Sequence, residues 1–432
     1  MDLADHIEHL LCSRRAPDLP EEFVLPHYSA YSIANLAATV ARILGVTVEG
    51  VAPPLPEHLW SEMTRDVTSV VLLILDAVGY RQLKHFLETQ PSVFNDLISK
   101  GSFVPVSSVF PSTTVSALTS IWTGQPPLAH GLLGTKLLLP KQGVLANLLR
   151  MAPAMYTLGG RLDAWGWEPD DFISVPTLAQ RLSSGGIRTV AHTRRSYISS
   201  ALTRIFLRGM GELRGYVGLS DLWVNLRRTM TSRDRQQPHF IDVYWGGADK
   251  VGHVYGPEGE YAPAALRHLA RSMEKEFLSD LPPEAREGTL LIVTADHGQI
   301  ATPADQIVRL PDHPTLWDVL LLPPAGESRA AYLYVAPGER ERVADYAKTR
   351  LSDRFALLDT ERAVEAGLWG PPHHLTPASR ARLGDLLLIA RGGSRLTAKS
   401  EREDKGSLRG HHGGLTADEM LVPLLMVRMD DL

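Results

Sequence analysis

The run TSVVLLIL, residues 68–75, is apolar at nearly every position and stops abruptly at Asp76-Ala77-Val78-Gly79. A strand that is wet on one face alternates polar and apolar residues. This one does not, so it predicts a central strand covered on both faces, as in a parallel sheet packed between helices. Similar short runs follow at Ser102–Phe110, Gly186–His192, Phe240–Tyr244 and Thr289–Thr294. Between them lie helical patterns such as YRQLKHFLETQ and YAPAALRHLARSMEKEFL. Strands alternating with helices predict an α/β fold with a mixed, mostly parallel sheet flanked by helices. In such sheets functional groups collect in loops at the carboxyl ends of the strands.

At 432 residues the chain exceeds what one hydrophobic core usually organises. Residues 1–65 are punctuated by prolines and read as an N-terminal arm packing on the core. Residues 66–302 and 406–432 carry the strong strand patterns and read as the core itself. Between them, 303–405 loosens into AAYLYVAP, ERERVADYAKTRLSD and RLGDLLLIA, a strand, a helix and a strand separated by loops. That segment predicts an inserted, smaller α+β cap subdomain. The glycine- and charge-rich stretch 391–410 reads as a mobile surface loop.

Lys and Arg total 44 against 49 Asp and Glu, a formal charge of -5, so no global attraction to nucleic acid or acidic lipid is expected. Cys12 is the only cysteine, which excludes an internal disulfide and any cysteine-based zinc ribbon. Metal ligands must then be histidines and carboxylates. Asp2 and Asp5 stand where a secretory signal would be basic, and no apolar run is long enough to cross a bilayer. The expectation is a cytoplasmic protein without membrane or nucleic-acid partners.

Several segments pair strand ends with metal-type ligands. Asp76 ends the most apolar strand, where an unpaired carboxylate is expensive to desolvate; a turn or cap role is the bland alternative. In DKVGH, Asp249 and His253 are four residues apart, so a helix there would put both on one face. In TADHG, Asp296 and His297 are adjacent and can reach one centre only if the chain turns, as Gly298 permits. HHGG adds His411 and His412. This mixed set suits two metals with open positions for substrate, and paired metals suit in-line displacement at phosphorus. VFPSTTVSALTSIWTG supplies hydroxyls at the start of a helical stretch, where helix dipole and metal charge both favour an oxyanion. Thr113 and Thr114 both qualify on chemistry and Ser112 is not excluded by it, although an ordinary helix cap is by itself the commoner role for such a hydroxyl.

In chain order, LILDAVG, FPSTTVSALTSIWTG with PLAHG, YWGGADKVGHVYGP, VTADHG and HHGGLTADEMLVPLL resemble the alkaline phosphatase superfamily, and more closely its type I phosphodiesterase and nucleotide pyrophosphatase branch. The resemblance implies an alkaline-phosphatase-like sheet with a substrate-selecting cap, and two divalent metal ions, zinc or manganese. It implies that Asp76, Asp296 and His297 hold one metal together with the nucleophile oxygen, and that Asp249, His253 and His412 hold the other. His412 is preferred to His411 because the family's ligand directly precedes the glycine. The family pattern F-P-[ST]-x-T implies Thr114 as the nucleophile, forming a phospho-threonine intermediate that water then releases. The implied substrate is a small phosphate ester or nucleotide.

Two departures leave the substrate open. Ser116-Ala117-Leu118 replaces a segment that usually carries Asn, and Thr135, followed by Lys136, stands where a phosphate-contacting Asn is usual. A hydroxyl at Thr135 and a charge at Lys136 can substitute, so both are candidate substrate contacts. Phosphomonoesters, phosphonates, sulfate esters or phosphomutase chemistry are the alternatives on the same residues. An accessory role, as in PglZ-like components of multiprotein systems, is the alternative of another class. The loop LDAWGWEPDD carries Trp165 and Trp167, which can line a pocket or simply pack.

Overall fold

The computed structural model describes residues 2–156, 159–168, 172–400 and 408–432. The charged stretch at 401–407, and residues 169–171 of the tryptophan loop, lie outside the described residues. The apolar run forms the strand Ser69–Leu75, buried at every position. It pairs in parallel with His239–Trp245 on one side and Thr289–Thr294 on the other, and both neighbours are buried throughout. The sheet extends in parallel through Arg188–Arg194 to Glu212–Tyr216. On the opposite side Leu421–Arg428 runs antiparallel between Thr289–Thr294 and Ser102–Ser107. The result is the mixed, mostly parallel sheet that the unbroken apolar runs predict.

Register explains why the motifs meet. Leu75 lies opposite Trp245, and Ile74 opposite Thr294, so three neighbouring strands end nearly level. Asp76, the Gly247–Tyr255 helix carrying Asp249 and His253, and the turn at Asp296-His297 therefore leave the sheet side by side. The helix Thr114–Thr123 enters from the loop after Ser102–Ser107 and stops at Gly124, whose φ of 68° gives a left-handed cap.

A second sheet of seven strands stands beside the first. Four of its strands, Ala325–Gly326, Ala330–Leu333, Phe355–Asp359 and Leu386–Ala390, come from the segment expected to form the cap. Three others, Lys136–Leu139, Val144–Asn147 and Ala152–Pro153, come from a stretch assigned by sequence to the core. Gly326 pairs with Lys136 to join the two groups, so the sheet reaches beyond 303–405. In the N-terminal segment, Ile7, Leu11, Ile33, Leu36 and Val40 are buried in the same hydrophobic cluster as the central strands. No helix among the described residues is long and apolar enough to cross a membrane.

One ion pair ties the C-terminal loop to the second sheet. Arg329 and Glu419 are both fully buried and meet through two hydrogen bonds, of 2.7 and 2.9 Å. Glu419 also accepts from the Gly414 amide at 2.8 Å and the Thr416 hydroxyl at 2.7 Å, while Arg329 donates to the Gly392 and Ser394 carbonyls. Burial opposes ionisation of Glu419, but the guanidinium outweighs it and holds the carboxyl below its ordinary value. Removing one partner of such a pair leaves the other as an uncompensated buried charge. Arg329→Met should therefore lower the unfolding free energy by about 3–5 kcal/mol in chemical denaturation; a loss below about 1 kcal/mol would show that the pair carries little weight.

Candidate active site

Two groups of potential ligands form at the level strand ends: Asp76, Asp296 and His297, all buried, and Asp249, His253 and His412, partly buried. In the first, His297 Nε2 lies 3.4 Å from Asp296 Oδ2 and 3.6 Å from Asp76 Oδ1. In the second, His253 Nε2 lies 3.1 Å and His412 Nε2 3.8 Å from Asp249 Oδ1. The His297 and His412 rings stack with centroids 3.9 Å apart, so the two groups adjoin.

All three imidazoles are oriented the same way. His253 Nδ1 donates to the Gly410 carbonyl (2.7 Å), His297 Nδ1 to that of Gly298 (2.9 Å), and His412 Nδ1 to that of Ser112 (3.1 Å). With Nδ1 held by a carbonyl, each ring turns Nε2 toward the carboxylates, the orientation a metal ligand requires; at His253 burial opposes the charged form, but the adjacent Asp249 carboxylate outweighs it and raises the imidazole above its ordinary value. Burial, with His297, His253 and His411 nearby, pushes His412 well below its ordinary value, so it stays neutral.

The carboxylates are arranged to need a cation. Burial and the neighbouring charges of Asp296 and Asp249 push Asp76 well above the carboxylate range, and burial raises Asp296 as well. Asp76 Oδ1 and Asp296 Oδ2 are buried without a hydrogen-bond partner. The remaining oxygens are occupied: Tyr244 donates its hydroxyl to Asp76 Oδ2, and the amides of Ala77 (3.2 Å) and His297 (2.9 Å) donate to Asp296 Oδ1. Orphaned oxygens facing ring nitrogens fit a divalent cation, which would favour the ionised carboxylates that burial disfavours.

The three hydroxyls of the PSTT turn differ in their partners. Ser112 donates to the Gly414 carbonyl at 2.8 Å and accepts from the Gly413 amide, bracing the loop beside His412. The Thr113 hydroxyl lies near Glu327, whose carboxyl is raised by burial and lowered by the Thr135 and Thr113 groups. Thr114, the first residue of its helix, places Oγ1 3.1 Å from His297 Nε2 and lines a cavity with Asp76, Asp249, His253 and His412. Thr135 also lines that cavity, its amide 2.6 Å from Glu327. Lys136 instead faces a separate cleft with Arg150, Lys399 and His411. His411 stands apart from both ligand groups, 2.6 Å from the Thr302 hydroxyl. Trp167 packs edge-on against Phe172, and neither it nor Trp165 lines the Thr114 cavity.

Sequence reading missed the residues that hold the ligands. Tyr244 bonds Asp76, and Gln299 donates to Asp249 Oδ1 at 3.2 Å. Alternation along the His239–Trp245 strand puts Asp242 and Tyr244 on one face, a signal open to the eye once the strand is placed. Thr416 and Glu419 form a capping box, T-x-x-E, that is visible in HHGGLTADEM. Glu327 and Arg329 have no such local signature. Gly298 is needed for a reason other than the turn: a Cβ there would collide with the Asp418 carbonyl oxygen.

Residues 70–415 match the model of the type I phosphodiesterase/nucleotide pyrophosphatase family. No curated protein sequence matches the chain. Among solved structures, murine ectonucleotide pyrophosphatase/phosphodiesterase 5 is 17% identical, over 82% of this chain and 87% of its own, with a TM-score of 0.64. An inactive form of the same murine protein in complex with AMP gives 16% identity, the same coverage and a TM-score of 0.63. Phosphonoacetate hydrolase from Sinorhizobium meliloti, in complex with phosphonoformate, is 20% identical over 89% of this chain and 93% of its own, with a TM-score of 0.62. At these identities the structures speak for a shared alkaline-phosphatase-like fold. By the match over most of its length, the chain belongs to the type I phosphodiesterase/nucleotide pyrophosphatase family.

Proposed function

We propose that this protein is a phosphodiesterase or nucleotide pyrophosphatase that works through a covalent phospho-threonine at Thr114. The observation that carries this reading is the Thr114 hydroxyl at a helix N-terminus, beside one ligand group and sharing a cavity with the other. Asp76, Asp296 and His297 would hold one divalent cation, and Asp249, His253 and His412 a second, with zinc or manganese suited to mixed carboxylate and imidazole donors. Bound there, the two cations supply positive charge that polarises the phosphoryl group and favours the threonine oxyanion.

The chain's own contributions follow from its geometry. The first turn of the Thr114–Thr123 helix presents unpaired backbone amides and the positive end of the helix dipole toward the phosphoryl oxygens. Thr114 Oγ1 gives its proton to solvent and attacks phosphorus. The new Oγ1–P bond forms as the bond to the departing alcohol or nucleotide oxygen breaks, and that oxygen leaves with a proton from solvent. Water then attacks the phospho-threonine from the vacated side, breaking the Oγ1–P bond and returning the hydroxyl. Tyr244 and Gln299 keep Asp76 and Asp249 aimed, and the three backbone carbonyls fix the histidine tautomers.

A second reading keeps the residues and changes the substrate to a phosphonate or phosphomonoester. Ala117 and Thr135 motivate it, standing where relatives usually carry Asn, and one solved neighbour is a phosphonate hydrolase.

The wild-type protein should hydrolyse an aryl phosphodiester when supplied with zinc or manganese. Thr114→Ala should lose about a thousandfold or more in kcat; full turnover by that variant would remove Thr114 as nucleophile. Rates on matched aryl diester, aryl monoester and phosphonoacetate should rank the diester first. Faster turnover of phosphonoacetate or the monoester would transfer the assignment to the second reading.

A further inference from the structure

The cavity at Thr114 has a volume of about 300 Å³ and is lined, besides the ligand groups, by an apolar set of side chains together with the Thr193, Ser200 and Thr203 hydroxyls and Lys250. Its walls include Leu118, Trp122, Phe206 and Leu207, all buried, with the Trp122 and Phe206 rings 5.2 Å apart. Among these walls lies one carboxyl, Asp242, buried to 1% exposure on the strand His239–Trp245. Trp122 Nε1 donates to its Oδ1 at 3.1 Å. No described residue bonds the other oxygen, and Lys250, which lines the same cavity, forms no ion pair with it and lies over the Tyr197 ring at 5.0 Å. Burial pushes this carboxyl up to about 7.

A structural role does not account for the residue. Asn at this position would accept the same indole hydrogen bond without the cost of a buried ionisable group. A carboxyl becomes favourable in an apolar chamber only when a partner supplies a charge-assisted hydrogen bond, and the aromatic walls also favour a cation. Size agrees, since 300 Å³ is at the small end of ligand pockets and suits a compact group.

We propose that Asp242 is a specificity-determining residue: the chamber takes the organic part of the phosphoester, a compact apolar group ending in an ammonium that bonds the free Asp242 oxygen. The inference rests on the reading of Thr114 as the reacting residue, because the chamber opens beside it. Phosphorus sits at Thr114, the apolar chain runs along Leu118 and Phe206, and the ammonium reaches Asp242.

Two near-isosteric diesters test this, 3-aminopropyl 4-nitrophenyl phosphate and butyl 4-nitrophenyl phosphate. The wild-type metal-loaded protein should favour the amine by about tenfold or more in kcat/KM. Asp242→Asn should bring that ratio close to one, chiefly through KM. Calorimetry of 3-aminopropylphosphonate and butylphosphonate on the Thr114→Ala variant reads the same preference without turnover. Equal kcat/KM for the two diesters and equal binding of the two phosphonates by protein with Asp242 intact would overturn the proposal. Amine-selective binding without turnover of either diester would uphold the chamber and count against the proposed reaction instead. That comparison needs no Asp242 variant, so poor folding of Asp242→Asn would not rescue the proposal.

Discussion

Negative charge gathered at the ends of buried parallel strands is the constraint on which the rest of this structure depends. Asp76 and Asp296 follow adjacent strands that end level, so their carboxyls converge where water is excluded. One oxygen of each has no partner in the protein; burial raises both carboxyls, and the neighbouring charges of Asp296 and Asp249 raise Asp76 further. Folding brings such groups together at a cost of several kcal/mol per ion unless something opposes them. The three histidines share one orientation, because each donates its Nδ1 proton to a backbone carbonyl and turns Nε2 toward the carboxylates. Divalent cations in both ligand groups would oppose the buried carboxylates and take the Nε2 atoms as ligands.

The surrounding architecture serves to hold that arrangement. Ser112 grips the Gly413-Gly414 loop and orients His412, while Glu419 and Arg329 fasten the same loop to the second sheet. Glu327 takes the Thr135 amide beside Thr113, while Thr114 is the hydroxyl of the turn directed at the ligand groups. The second sheet thus reaches the site through its own side chains, and differences in it offer a route to differences in substrate. The Asp242 chamber lies on the other flank, walled by the helix that begins at Thr114.

Much of this was legible in the sequence because the signals are local. An unbroken apolar run ending in Asp identifies a central strand and a residue at its carboxyl end, and D-x-x-x-H on a helix puts two donors on one face. Those patterns, with the family resemblance, single out the six residues that the fold gathers into two clusters of potential ligands. The supporting residues were not legible because their roles arise between segments far apart in sequence. Tyr244 and Asp76 are partners across two strands, Arg329 and Glu419 across 90 positions. The strands at 136–153 were missed for the same reason: their edge pairing with Gly326 leaves little periodicity in a short, proline-interrupted stretch. Thr135 and Lys136, adjacent in sequence, face different cavities because successive side chains diverge at the start of a strand.

The central claim, two cations bound beside Thr114, is tested most directly by anomalous diffraction from crystals of the zinc- or manganese-loaded protein. The account predicts two peaks, one within reach of Asp76, Asp296 and His297 and the other of Asp249, His253 and His412. A single peak, or none at these residues in fully loaded protein, would contradict it.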